Sequence, residues 1–306
     1  MEGAFAVPTL AAAPVPGAAA ASGDSELVFG FIPNSLLRDL DAAAPWQRRT
    51  KAVDALEELS RAQSDPLPLL PHVPRLFGFL SALLQDSNFK ISITTLGVVT
   101  QLANVLGDAV RPALSGLMDS LLAKLGDTKI VVRNAAAGTL AQLAGAAGPA
   151  VVTEALISRG IRGSRNPLVR EGAVRAVTAT LLVHRGTWKV DVHGLVQHLW
   201  PALLDSKSKV KFSAVEAFAV LQAVAGPSID VMAVAAQYGL PPQSEAAAML
   251  RTRLARPQLP TVNASGLLQY GNGGVPDRQS ATRNGGDGSS EMGSAGMVGV
   301  VGAVGM

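Results

Sequence analysis

Basic residues recur along this chain at a spacing that a single compact core does not produce. Positions 49, 92, 133, 170 and 211 are separated by 43, 41, 37 and 41 residues, and they carry Arg49, Ser92, Arg133, Arg170 and Lys211. An apolar residue precedes most of them, in Ile91-Ser92, Val132-Arg133, Val169-Arg170 and Val210-Lys211, with Arg48-Arg49 the poorest member. An acid stands six residues earlier in three cases: Asp86, Asp127 and Asp205. The fullest version runs from Asp127 to Leu140, where a loop acid and then Arg133 open an apolar, small-residue helix. A period of about 40 residues is the signature of stacked helical hairpins, in which each unit buries its apolar stripe against its neighbours.

The rest of the chain agrees with that reading. Val53, Leu56 and Leu59 fall three apart, and Leu117, Leu121, Leu122 and Leu125 fall four and three apart, which is helical spacing. Pro45, Pro66, Pro71, Pro74, Pro112, Pro149, Pro167, Pro201 and Pro227 sit at inferred helix starts or in connectors, where a missing amide hydrogen costs least. Alternating apolar/polar runs and Asn-Gly turns are absent between residues 30 and 256, so no β-structure is expected there. The fold expected is all-α, an α-solenoid of about six HEAT-like hairpins with disordered termini. The hairpins run over 33–63, 69–106, 109–147, 150–184, 192–225 and 228–255, and the first and last match the register least. Residues 1–30 read as a low-complexity N-terminus, 31–270 as the repeat domain and 271–306 as a glycine-rich tail. Neither end has enough large apolar side chains to offset the entropy of ordering it.

Composition excludes several function classes. The chain has no cysteine, which rules out disulfides and thiolate metal sites and suits a reducing compartment. Its net charge of +3 is too mild to imply nucleic acid. Glu2 without a basic stretch does not read as a secretory leader, so a cytosolic protein is expected. The apolar run 293–306 is short and glycine-interrupted, so no membrane span is expected. His72, His184, His193 and His198 show no metal-binding spacing, and no phosphate loop or nucleophile elbow is present. Gly271 to Gly274 have no strand before them or helix after them. No catalytic residue, cofactor or metal is expected, and the protein reads as a non-enzyme.

What remains is the row of turns within the hairpins. In such a solenoid these turns project from one edge. They present Trp46, then Phe89 and Lys90, then Lys129, then Arg165 and Asn166, then Lys207 and Lys209. Asp127, Arg133, Asp205 and Lys211 are read as structural residues, since such an acid and base can hydrogen-bond between neighbouring units of the stack, and Lys129 between the first two as a partner contact. An aromatic flanked by a basic row suits an acidic protein surface. The residues alone leave open whether Trp46 belongs to the core and whether Lys207 and Lys209 are ordinary solvated lysines. The row is short and lacks base-stacking aromatics beyond Phe89, which argues against nucleic acid.

On Pro45 to Arg49, Asp86 to Lys90 and Asp127 to Leu140, the chain resembles a TOG domain, the six-HEAT-repeat module of microtubule polymerases, CLASP proteins and Crescerin-type ciliary proteins. Arg253 to Pro260 and Gly266 to Leu268 are similar to the segment following TOG domains of the Crescerin group. The resemblance covers roughly residues 31–270. It implies αβ-tubulin or microtubules as the partner, with Trp46 and Phe89 on one tubulin subunit. Lys90, Lys129, Arg165, Lys207 and Lys209 would then meet the other, with Asn166 in the same row. It further implies a cytoskeletal and possible ciliary location. With one domain and no heptad run, a monomer is expected and processive polymerase action is not implied. A general HEAT scaffold gripping another acidic protein or peptide in its groove is the alternative.

Overall fold

The computed structural model describes residues 27–270, so positions 1–26 of the expected low-complexity stretch 1–30 and the expected glycine-rich tail 271–306 lie outside the described residues. Helical hairpins fill almost all of that span, and their bounds follow the spacing of apolar residues. The first helices of the six hairpins are α1 (Asn34–Asp39), α3 (Val73–Leu84), α5 (Leu114–Leu125), α7 (Pro149–Ala155), α9 (Val192–Leu199) and α11 (Val231–Gln237). The second helices are α2 (Trp46–Arg61), α4 (Phe89–Leu106), α6 (Ile130–Ala147), α8 (Pro167–Val183), α10 (Ser208–Ala225) and α12 (Glu245–Leu254). Short 3-10 turns lead into α3 and α5 and extend α9, while a single π-turn, Leu156–Ile161, extends α7.

The longer helices form because one stripe of each can be buried. In α5 the buried side chains are Leu114, Leu117, Met118, Leu121, Leu122 and Leu125, three and four apart. Full burial of each such side chain is worth about 1.5–3 kcal/mol. The second helices pack side by side in sequence order, α2 on α4, α4 on α6, and so on to α12. Polar links cross between them: Ser60 Oγ donates to Gln101 Oε1 at 2.8 Å, and Thr139 Oγ1 donates to the Leu96 carbonyl at 3.2 Å. Residues in the middle of the row are buried on several sides, and α8 buries Val169, Ala173, Val174, Ala176, Val177 and Thr178.

Two features depart from the sequence expectation. A two-residue antiparallel ladder, β1 (Leu27–Val28) with β2 (Ile32–Pro33), precedes α1 and places strand inside the span expected to lack it. Phe29 and Gly30 take φ of 55° and 84°, the left-handed pair that closes a tight hairpin. Burial of Phe29, Phe31 and Ile32 anchors it. After α12 the chain makes a second small ladder, β3 (Thr261–Val262) with β4 (Leu268–Gln269), and it packs on α8.

Candidate functional site

The turns within the hairpins share one local construction, and it explains the six-residue spacing. The residue at the acid position accepts a hydrogen bond from the amide two residues on. Asp86 Oδ1 takes it from Asn88, Asp127 Oδ1 from Lys129, Ser164 Oγ from Asn166 and Asp205 Oδ1 from Lys207, at 2.7–3.2 Å. Those four amides belong to the N-cap residues of α4, α6, α8 and α10. Such side-chain-closed turns bend the chain sharply into the next helix.

The arginine six positions later then closes its own turn. Arg133 Nη1 donates to the Asp127 and Thr128 carbonyls at 2.8 and 3.0 Å, and Arg170 Nη1 does the same to Ser164 and Arg165 at 3.2 and 2.9 Å. Arg49 reaches the Ala44 carbonyl at 2.5 Å. The remaining nitrogens reach the acid of the next hairpin. Arg49 forks onto Asp86 at 2.8 and 3.2 Å, and Arg170 onto Asp205 at 2.7 and 3.0 Å. All four side chains are mostly buried. Burial pushes the Asp205 carboxyl up, but the Arg170 fork, the Lys207 amide and both positive charges outweigh it and hold the group below its ordinary range.

The forks form between neighbouring hairpins, as the sequence reading expected of such pairs, and the partner of Asp205 is Arg170 of the preceding hairpin. Arg133 binds carbonyls of its own turn, because the next turn offers Ser164 where an aspartate would complete the fork. In the preceding hairpin the arginine position is held by Ser92, which donates to the Leu84 and Asp86 carbonyls, and the Asp127 carboxylate accepts from the Lys129 amide.

This construction sets the expected site residues along one edge. Trp46 is the first residue of α2 and is 55% exposed, which decides its place in favour of the surface. Phe89 holds the same first position in α4 and is half-buried, with the Lys129 ammonium 4.8 Å from its ring centroid. That contact joins the second and third turns and is worth about 0.5–1 kcal/mol at an exposed site. Lys90, Arg165, Lys207 and Lys209 are all exposed. Asn166 is exposed too, but its Oδ1 caps α8 by accepting from the Leu168 amide at 3.0 Å, so part of its role is structural. The same register reveals residues that sequence reasoning passed over. Ile130 opens α6 as Trp46 opens α2, and Ile130 and Val131 are each 50% exposed. Their signal was their position after the N-cap, where Trp46 and Phe89 also stand. The edge thus carries large apolar residues in the first three turns and positive charge from the second to the fifth.

Two of the N-caps are chemically odd. Asn88 and Asn166 cap their helices with a side-chain oxygen, whereas Lys129 and Lys207 make no side-chain cap bond. A lysine there brings positive charge to the positive end of the helix, which is the unfavourable sign. Lys129 is compensated by its contact with Phe89, whereas local stability does not account for Lys207.

Among the described residues no group of histidines and carboxylates is arranged to hold a metal ion. Burial pulls the His184 imidazole below its ordinary value, and His72 lies edge-on to Phe29, at 6.2 Å between ring centroids.

A family model described as a HEAT-like repeat matches residues 90–143, which span α4 to α6. The human protein named TOG array regulator of axonemal microtubules protein 1 is 31% identical over 263 residues, covering 84% of this chain and 15% of that protein. The Caenorhabditis elegans Crescerin-like protein che-12 is 25% identical over 259 residues, covering 81% of this chain and 19% of that one. The chain thus spans a small fraction of the length of these relatives. Among solved structures, one described as Crescerin using a TOG domain array to regulate microtubules in the primary cilium superposes with a TM-score of 0.66. It is 29% identical, and the match covers 80% of this chain and 98% of that one. The MAST/Orbit N-terminal domain, at 18% identity and a TM-score of 0.60, shares the fold.

Proposed function

We propose, from the premise that residues 27–270 form a TOG domain of HEAT-like repeats, that this protein binds tubulin or microtubules through the edge formed by its hairpin turns. The observation that carries the reading is the graded edge: exposed Trp46, Phe89 under Lys129, then Arg165, Lys207 and Lys209. Trp46 acts as the apolar anchor, the kind of residue that dominates binding energy at protein interfaces. The lysines and the arginine supply complementarity to an acidic surface and speed encounter. The lysine N-cap of α10 supports this, since Lys207 works against its own helix. The function is non-enzymatic and cytoskeletal, with regulation of microtubule dynamics as the role and the cilium as the location that the relatives' names suggest.

The rival scaffold reading needs a free groove along the second helices. Residues 256–270 of the chain itself lie on that face at α6 and α8, which favours the edge. Co-pelleting with microtubules and gel filtration with purified tubulin test the proposal. Wild-type protein is expected to bind in at least one assay, and Trp46→Ala/Lys207→Glu/Lys209→Glu to lose that binding. Equal behaviour of the two proteins would remove the edge as the site.

A further inference from the structure

The Arg–Asp forks divide the row of hairpins unevenly. A fork ties the first turn to the second through Arg49 and Asp86, and the fourth to the fifth through Arg170 and Asp205. Between the second and third turns Lys129 lies on Phe89, and α4 and α6 pack closely. The joint between the third and fourth hairpins has neither device. Arg133 faces Ser164 in the fork register, and α6 and α8 share the smallest interface of any two neighbouring second helices. On the side of the first helices, Arg159 ties that joint by donating to the Ser115 carbonyl and Asp119 at 2.6 and 3.0 Å. On the side of the second helices the chain supplies something else.

After α12 the backbone turns back across the row. Arg253, 8% exposed, forks onto Glu216 of α10 at 2.7 and 2.9 Å. It also donates to the Arg256 and Gln258 carbonyls, so it sets the direction in which the chain leaves. β3 and β4 then lie on α8, and the tip between them reaches α6. Asn263 organises the tip by accepting from the Ser265 and Leu267 amides at 3.0 and 2.9 Å. The contact with α6 is closer than any side chain allows. A Cβ added at Gly138 would stand 2.6 Å from the Ser265 carbonyl oxygen, and one at Gly266 would stand 2.6 Å from the Ala141 Cβ. Gly266 also has φ of 76°, which other residues rarely adopt. Two glycines facing each other let this hairpin seat itself flush on α6 while its strands sit on α8.

We propose that residues 256–270 are a brace across the joint between the third and fourth hairpins. In place of the missing fork, the brace holds the apolar half of the turn edge at a fixed angle to its basic half. Because the joint lies between Trp46 and Phe89 on one side and Lys207 and Lys209 on the other, that angle sets the shape of partner surface the edge accepts. Gly138, Gly266 and Arg253 are then positioning residues for a site they do not touch. The last step rests on the tubulin reading above, whereas the mechanical claim does not.

The test uses the full chain, which has no native cysteine. Spin labels on Gln47→Cys and Ser206→Cys, both exposed and outside the proposed contacts, report the distance between the two halves of the edge. Gly138→Leu and Gly266→Val should each lift the brace, one from the helix side and one from the hairpin side. Leucine is a better helix former than glycine, so Gly138→Leu does not weaken α6 itself. The distance distribution is expected to broaden or shift in both variants while helical circular dichroism is retained. Adding Ser164→Asp, which offers Arg133 the absent fork partner, is expected to restore the wild-type distribution. Distributions that overlay wild type in both variants, or no recovery with Ser164→Asp, would overturn the brace. Should the binding-competent geometry fall to about a tenth of the population, apparent tubulin affinity drops about tenfold. A changed distance with unchanged affinity would show that the partner does not read the angle. If wild-type protein binds no tubulin, the tubulin reading fails, and the spin-label distances alone still decide the brace.

Discussion

Replacing Lys207 by asparagine should make the protein more stable and a poorer binder. Lys207 is the N-cap of α10, with φ −101° and ψ 122° and no side-chain cap bond. Asn166 holds the equivalent place in α8 at φ −78° and ψ 117°, and its side chain accepts from the second helical amide at 3.0 Å. The backbones agree closely, so the asparagine of Lys207→Asn can make the same bond to the Lys209 amide. A side-chain cap is worth about 1 kcal/mol. Removing a positive charge from the helix N-terminus adds about 0.3–1 kcal/mol. Against this stands the lost attraction to Asp205, an exposed-lysine effect of roughly 0.5 kcal/mol. The net gain is about 1 kcal/mol, or roughly 2–4 °C in melting temperature for a domain of this size. Thermal unfolding followed by circular dichroism reads that gain. Titration with tubulin should show weaker binding and a shallower dependence on salt, as expected when a cation leaves an interface rim. Lys129→Asn is the internal contrast. There the new cap is offset by the lost contact with Phe89, so stability should move little. A lower melting temperature for Lys207→Asn would refute the capping argument, and unchanged affinity would refute the functional one.

Trp46→Ala should leave the melting temperature within the range of surface substitutions, about 0.5 kcal/mol, because the ring is largely exposed. The same change should cost more than about 2 kcal/mol of tubulin binding, read by calorimetric titration. Arg170→Ala strands the mostly buried Asp205 and should destabilise the domain by about 3–5 kcal/mol in urea unfolding, with Arg170→Ala/Asp205→Ala recovering part of the loss. Asp205 has a folded pKa below its ordinary value of 3.8, so its stabilising contribution is complete above that value and is lost as pH falls through the lower, folded one. Urea midpoints measured from pH 6 down to acid should therefore fall more steeply for wild type than for Asp205→Asn. Tubulin binding should weaken as salt rises from low to physiological strength, where exposed charges are screened beyond about 8 Å.

The hairpins were legible in the residues because their causes are local. Leu117, Leu121, Leu122 and Leu125 lie on one stripe whatever they pack against, and Pro149 and Pro167 begin helices because they lack an amide hydrogen. Repetition of that local pattern was enough to order the hairpins along the row and to bring their turns to one edge. The first strand pair escaped notice because it is only two residues long on each side and is held by burial of Phe29, Phe31 and Ile32 rather than by any alternating pattern.

The motif from Asp127 to Leu140 marks the boundary between the two kinds of information. Its six-residue spacing reports a turn that an aspartate and an arginine both close, and that much is local chemistry. Whether the arginine also meets an acid depends on the next turn, which sequence spacing alone does not specify. Stacking decided that Arg49 and Arg170 form forks and Arg133 does not. Stacking also put Trp46 in solvent, laid Lys129 over Phe89 and seated Gly266 against Gly138 beside the smallest interface between second helices. Periodicity encodes which face of each helix is buried. It carries no record of what covers that face, because the covering residues come from distant parts of the chain and meet only when the repeats are packed.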